Sequence, residues 1–301
     1  MRRRSFLKKA GLSALVLGTG HQYARALSAF ERPALPLSIL HTNDLHGHFS
    51  SAPEHSTLPY WSQLIANIRS NSNPYSLLFD AGDHFGSPFS NHQDTVQAMN
   101  ALGYDAICMG NNDMKMGIFN LLKQYEHVNF PVLSSNYSLI NTELQSRIQP
   151  YTIIDRPGLR IGIFALNNSY KQLINNQLNP YIAFGDALSA ARHTVDTLRR
   201  QSGCHFIVCL SHLGLAATTE EDSDLKLAQQ VPGIDLILGG GSHTFMSEAI
   251  EIQNIINKKV IISHAGHDGL LLGKLDLEIH PDHGVQLLQS QYLNTSACTF
   301  L

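Results

Sequence analysis

An α/β fold is predicted for this 301-residue chain by three observations. Short apolar runs alternate with stretches of helical periodicity, the pattern of strands joined by helices. Polar motifs rich in Gly, Asp, Asn and His stand where the apolar runs end. Beyond the first residues there is no second hydrophobic break, Pro/Gly/Ser linker, repeat or low-complexity tract, so one domain is expected.

The elements follow in order. Residues 37–40 form an apolar run leading into Asn43-Asp44. Trp61, Leu64, Ile65 and Ile68 recur at helical spacing. Residues 76–79 give a second strand, ending at Asp80-Ala81-Gly82-Asp83. Val96, Met99 and Leu102 mark a helix that stops at Gly103, a residue suited to a left-handed C-cap. Residues 105–109 form a third strand that runs into Gly110. Ile118, Leu121, Leu122 and Tyr125 line the next helix, and 131–133 and 161–166 read as strands. Leu188, Ala191, Val195 and Leu198 share one helix face. Residues 206–210 end at Ser211-His212, and 236–238 end at Gly239-Gly240. Finally 260–263, 270–279 and 285–293 come without helices between them, which predicts an antiparallel second sheet.

The first residues read as an export signal. Arg3-Arg4-Ser5-Phe6-Leu7-Lys8 resembles a twin-arginine motif, followed by an apolar run over residues 10–18 and a small-residue cleavage site at Ala24-Arg25-Ala26. The run is too short to span a bilayer, and no Cys follows for lipidation, so no membrane anchor is expected in the mature form. Residues 1–26 are thus expected to be a signal peptide and 27–301 the functional domain, periplasmic or otherwise exported. Removing the signal takes away six basic and no acidic side chains, which moves the formal net charge from -3 to -9. So acidic a domain is a poor partner for a nucleic acid polymer, although bound cations would still admit a small phosphate ester. The four cysteines show no zinc-ribbon or CxxC spacing, and at least three are expected to be buried thiols.

Six motifs carry the chemistry: Asp44-Leu45-His46, Gly82-Asp83, Gly110-Asn111-Asn112-Asp113, Ser211-His212, Gly240-Gly241-Ser242-His243 and Ala265-Gly266. Five of the six fall at the carboxyl ends of predicted strands, where open α/β sheets gather ligands. Singly each is ordinary. A D-x-H triplet is a common loop, Gly-Asp is a common turn, and a histidine after an apolar strand is more often a core residue. Together Asp44, His46, Asp83, Asn111, His212 and His243 supply a carboxylate able to bridge and a set of His, Asp and Asn donors. That is what a two-metal hydrolase needs.

The strings LHTNDLHGHF, LLFDAGDHFGS, AMNALGYDAICMGNND, FPVLSSN, SHLG and DLILGGGSHT resemble the N-terminal metallophosphoesterase domain of the bacterial 5'-nucleotidase/UDP-sugar hydrolase family, within the calcineurin-like superfamily. The likeness runs from about Leu37 to Leu277. It implies a four-layer α/β/β/α sandwich with two mixed sheets. It implies one ion held by Asp44, His46, Asp83 and His243, and another sharing Asp83 and adding Asn111 and His212. One or two divalent ions (Mn, Zn, Fe or Co) and hydrolysis of nucleotides or other small phosphate esters by metal-activated hydroxide are then expected.

Three positions depart from the family. The histidine that contacts the phosphoryl group is here Asn112, which becomes the candidate catalytic residue. Its acidic partner is Lys115, expected to be a solvated surface side chain. One ligand histidine of the second ion is Gly241. His48, His84, His264 and His267 could compensate. The family's C-terminal nucleotide-specificity domain has no counterpart before Leu301, so a separately encoded partner domain is a possible source. A member that binds one metal or a phosphate ligand without turnover is the competing reading.

Overall fold

The structure is a computed structural model that describes residues 34–48, 58–71, 76–86, 92–140, 143–168, 181–216, 222–280 and 284–295. The expected signal peptide and Cys298 lie outside these residues. The other three cysteines, Cys108, Cys204 and Cys209, are buried free thiols.

Two mixed sheets lie face to face. The first orders β15 (Gly284–Asn294), β14 (Leu271–His280), β1 (Leu35–Thr42), β2 (Leu77–Asp80), β3 (Ala106–Cys108), β4 (Val132–Leu133) and β6 (Ile148–Gln149). The second orders β12 (Ile250–Gln253), β13 (Lys259–His264), β11 (Leu236–Gly239), β10 (Phe206–His212), β8 (Leu159–Asn167) and β7 (Tyr151–Arg156). A small ribbon pairs β5 (Tyr137–Leu139) with β9 (Ile182–Phe184). Helices α1 (Leu58–Asn71), α2 (Gln93–Leu102), α3 (Asn111–Lys115) and α4 (Ile118–Tyr125) connect strands of the first sheet. Helices α5 (Ala187–Asp196) and α6 (Asp224–Gln230) serve the second, α5 running into a π-helical turn at Thr197–Gln201.

Side-chain alternation along the strands sorts the interior into three apolar layers. On β10, Phe206, Val208 and Leu210 face the first sheet, while Ile207 and Cys209 face α5 and α6. On β1, Leu37 and Ile39 join the layer between the sheets, while Leu40 packs toward α1 and α2. Three cores between four layers make the expected α/β/β/α sandwich. Gly103 ends α2 as predicted, at φ 71° with its N–H on the carbonyls of Met99 and Asn100.

The last strands do not form a sheet of their own. Strand β13 enters the second sheet parallel to β11, whereas β14 and β15 extend the first sheet antiparallel to β1. The patterns explain the split. Val260–Ile262 is buried on both faces and suits an interior position, while β15 is half exposed along its length and suits an edge. Strands β5, β6, β7, β9 and β12 and helix α6 were not legible as elements.

The parallel strands bring their carboxyl ends to a common edge. In the first sheet these are β1, β2 and β3, and in the second β10, β11 and β13. Every one of the six motifs sits there, the sixth included.

Candidate metal centre

The loops after β1 and β2 are zipped by main-chain hydrogen bonds: Asp44 N to Gly82 O, His46 N to Asp83 O and Gly47 N to His84 O, each 2.9 Å. This pairing needs a tight reversal, and Asp44, His46, Asp83 and His243 all adopt left-handed backbone, with φ between 48° and 57°. A non-glycine residue there is strained by about 1–3 kcal/mol. Of the six non-glycine residues with positive φ among those described, four are candidate ligands and a fifth, Asp268, touches one.

Two groups of ligand atoms converge, Asp44 with His46 and His243, and Asp44 with Asp83 and His212. In the first, the His243 Nε2 lies 3.4 Å from Asp44 Oδ1, and the His46 Nε2 lies 4.0 Å from Oδ2 of Asp83, a member of the second. Asp44 Oδ1 and His46 Nε2 are buried and have no hydrogen-bond partner. The outward atoms of the same residues are all engaged. Asp44 Oδ2 accepts from Gly241 N at 2.9 Å and Asn43 Nδ2 at 2.8 Å, and His46 Nδ1 bonds Asp268 Oδ1 at 2.8 Å. Burial opposes the Asp44 charge, but the neighbouring His243 and His212 outweigh it and hold the carboxyl at about 2. The same contact with Asp44 raises the His243 imidazole above its usual value.

In the second group, His212 Nδ1 donates to Ala81 O at 2.8 Å. Its Nε2 then faces Asn111 Oδ1 at 3.1 Å and Asp83 Oδ2 at 3.2 Å. Three acceptor atoms at such distances require a proton or a cation among them. Both groups therefore fit a divalent ion with oxygen and imidazole donors. Asn111 joins the centre through its amide oxygen, as the residue type suggested.

Asn112 also lies at the centre. Its backbone N–H and its Nδ2 both donate to Asp83, each at 2.7 Å. Lys115 is exposed, as expected, and its ammonium donates to Asn112 Oδ1. The spare histidines do not refill the second half. His84 is buried against Asp113 and Asp80, at 3.3 and 3.6 Å, and His264 is buried against Asp224 at 2.7 Å. His48 and His267 gather around Asp268, on the His46 side. At Gly241 the backbone has φ 81°, and an added Cβ would stand 3.2 Å from His212 O.

Two supporting residues escaped the sequence reading. Asp268 orients His46, and its N–H donates to Asp44 O at 2.7 Å. Its signal was its place two residues past Ala265-Gly266. Asn43 ties the loop after β1 to that of β13, bonding Gly266 O at 2.6 Å and Ala265 N at 2.8 Å.

Comparison with known proteins settles the family, because the calcineurin-like phosphoesterase model matches residues 37–245. The chain belongs to the calcineurin-like phosphoesterases. This is a family of phosphoric ester hydrolases. Among curated relatives, the chain is 27% identical over 277 residues to the trifunctional nucleotide phosphoesterase protein YfkN of Bacillus subtilis, covering 80% of this chain and 18% of that protein. It is 30% identical over 243 residues to the 5'-nucleotidase of Bos taurus, covering 73% and 41%. The solved 5'-nucleotidase precursor of Thermus thermophilus superposes with a TM-score of 0.76 at 26% identity, over 86% of this chain and 54% of that one. The chain thus spans less than half the length of these curated relatives.

Proposed function

We propose that the chain is an exported metal-dependent phosphoesterase of the 5'-nucleotidase type, acting on nucleotides or other small phosphate esters. The observation that carries this reading is the pair of buried, unpartnered ligand atoms, Asp44 Oδ1 and His46 Nε2, beside His243 and Asp83. Leaving such atoms without a partner costs about 1–3 kcal/mol each, a cost that a bound cation removes. Asp44, His46, Asp83 and His243 would hold the first ion, and Asp83, Asn111 and His212 a weaker second one. Bound divalent ions polarise a phosphoryl oxygen and lower the pKa of water.

The chain's own residues do the rest. Asp268 fixes the His46 ring, so that Nε2 faces the ion. Asn112 steadies Asp83 with its backbone and amide N–H groups and is the candidate to contact a bound phosphoryl group. Nucleotide use is supported by the names of the relatives, and export by the twin-arginine pattern of residues 1–26 ahead of a domain at 27–301. No helix among the described residues is long and apolar enough to cross a membrane.

Binding without turnover is the second reading, favoured by one observation. Asn112 carries no charge and delivers no proton, where the family has a histidine. The test is phosphate release from p-nitrophenyl phosphate and AMP with added manganese, against an Asp83→Ala control. Metal-dependent release that the control loses, by about 10³-fold or more, is expected. Release at the control level from folded, metal-loaded protein would favour the binding reading.

A further inference from the structure

Helix α3 holds Asn112 and Lys115 three residues apart, which puts both side chains on one face. Their contacts form a relay: the Lys115 ammonium donates to Asn112 Oδ1, and Asn112 Nδ2 donates to Asp83 Oδ2 at 2.7 Å. Both residues line a cavity of about 460 Å³ together with His46, His48, Phe85 and Asp268. Among the described residues of that lining, Lys115 is the only Lys or Arg. No carboxylate among the described residues pairs with it, so its charge is free to face the cavity.

We propose that Lys115 contacts the terminal oxygens of the substrate and makes the site selective for dianionic phosphate monoesters over diesters. This rests on the phosphoesterase reading and narrows its substrate class. The chemistry differs from that of a His–acid dyad. An ammonium is a compact point charge on a flexible stem with three rotatable donors. A monoester carries a second negative charge above about pH 6, and a diester lacks it. The attraction of Lys115 therefore grows with the charge it meets. Asn112 restrains the lysine by its amide oxygen and turns its own N–H groups inward, so the uncharged residue positions the charged one.

The test compares p-nitrophenyl phosphate with bis(p-nitrophenyl) phosphate in the full chain with manganese. The intact protein should prefer the monoester, and Lys115→Gln should lower kcat/KM for it by about 10²-fold while changing the diester by less than about threefold. Lys115→Arg should restore most of the preference, and Lys123→Gln, a charge loss on the next helix, should change neither. Equal losses on both esters, no loss on either, or an intact protein without preference would overturn the proposal. If the intact protein turns over neither ester, the phosphoesterase reading fails separately. Calorimetric titration of the manganese-loaded protein with inorganic phosphate then decides. Binding weakened at least about tenfold by Lys115→Gln supports the proposal; unchanged affinity, or no phosphate binding, overturns it.

Discussion

The two halves of the centre solve the same electrostatic problem differently. Around His212 the acceptor atoms stand 3.1 and 3.2 Å apart, within reach of a single shared hydrogen. Around His46 and His243 the facing atoms stand 3.4 and 4.0 Å apart, and two of them have no partner. A proton on His212 can satisfy the first arrangement. Only something larger than a proton, with more than two bonding directions, satisfies the second. The difference teaches that one half can close on a proton while the other keeps buried ligand atoms open.

That contrast can be broken most directly by removing one histidine from each half. His46→Ala is expected to lower affinity for manganese by about 10³-fold or more, beyond the effect of an outer partner, while His212→Ala leaves one tightly held equivalent. Metal content after gel filtration checks both, and equal losses would erase the distinction. Next in size, Asp268→Ala should weaken the same ion by about 10–100-fold, because His46 loses the acceptor that orients it. A titration in which Asp268→Ala matches the parent chain would remove that role.

Gly241→His sharpens the comparison from the other side. It should add a second manganese equivalent and cost about 1–3 kcal/mol of stability without metal, given φ 81° and the close approach to His212 O. Chemical denaturation with and without metal reads both effects.

The smallest effect sets a limit common to both halves. His41 lies beneath the centre, bonded to Ser263 at 2.8 Å, and burial followed by the nearby His264 lowers its pKa to about 3. Unfolded, it would titrate near 6.5. Between these values the unfolded chain binds the extra proton, so stability falls as pH drops through this window and is fully present above it. About 1 kcal/mol should be lost from pH 7 to 5.5. His41→Leu should flatten that dependence in melts across this range.

Much of this was legible because the motifs are backbone motifs. Gly82, Gly110 and Gly240 mark where strands stop and loops turn sharply, and the candidate ligands follow within a few residues. The apolar runs over residues 37–40 and 206–210 likewise marked β1 and β10, which are buried almost throughout. Strands β5, β6 and β9 span two or three residues, too few to show a period. The alternation Ile250-Glu251-Ile252-Gln253 was readable but short. Whether the spare histidines serve the centre was out of reach, because His84 and His264 differ from His46 only in partners distant in sequence, Asp113 and Asp224. The contact between Lys115 and Asn112 was hidden for a plainer reason. The three-residue spacing from Asn112 becomes meaningful only once residues 111–115 are known to be helical.

The left-handed backbone of Asp44, His46, Asp83, His243 and Asp268 has a bearing on the chain's history. Glycine would relax each of these positions, since it occupies that conformation without a clashing Cβ. A lineage released from holding metal would gain stability by such replacements. At Gly241, where the family's motif has histidine, the relaxed residue is present at φ 81°. At the other five positions the strained residues remain. Backbone stability alone would favour glycine at those five positions, so the strain there is a cost that only their side chains can offset.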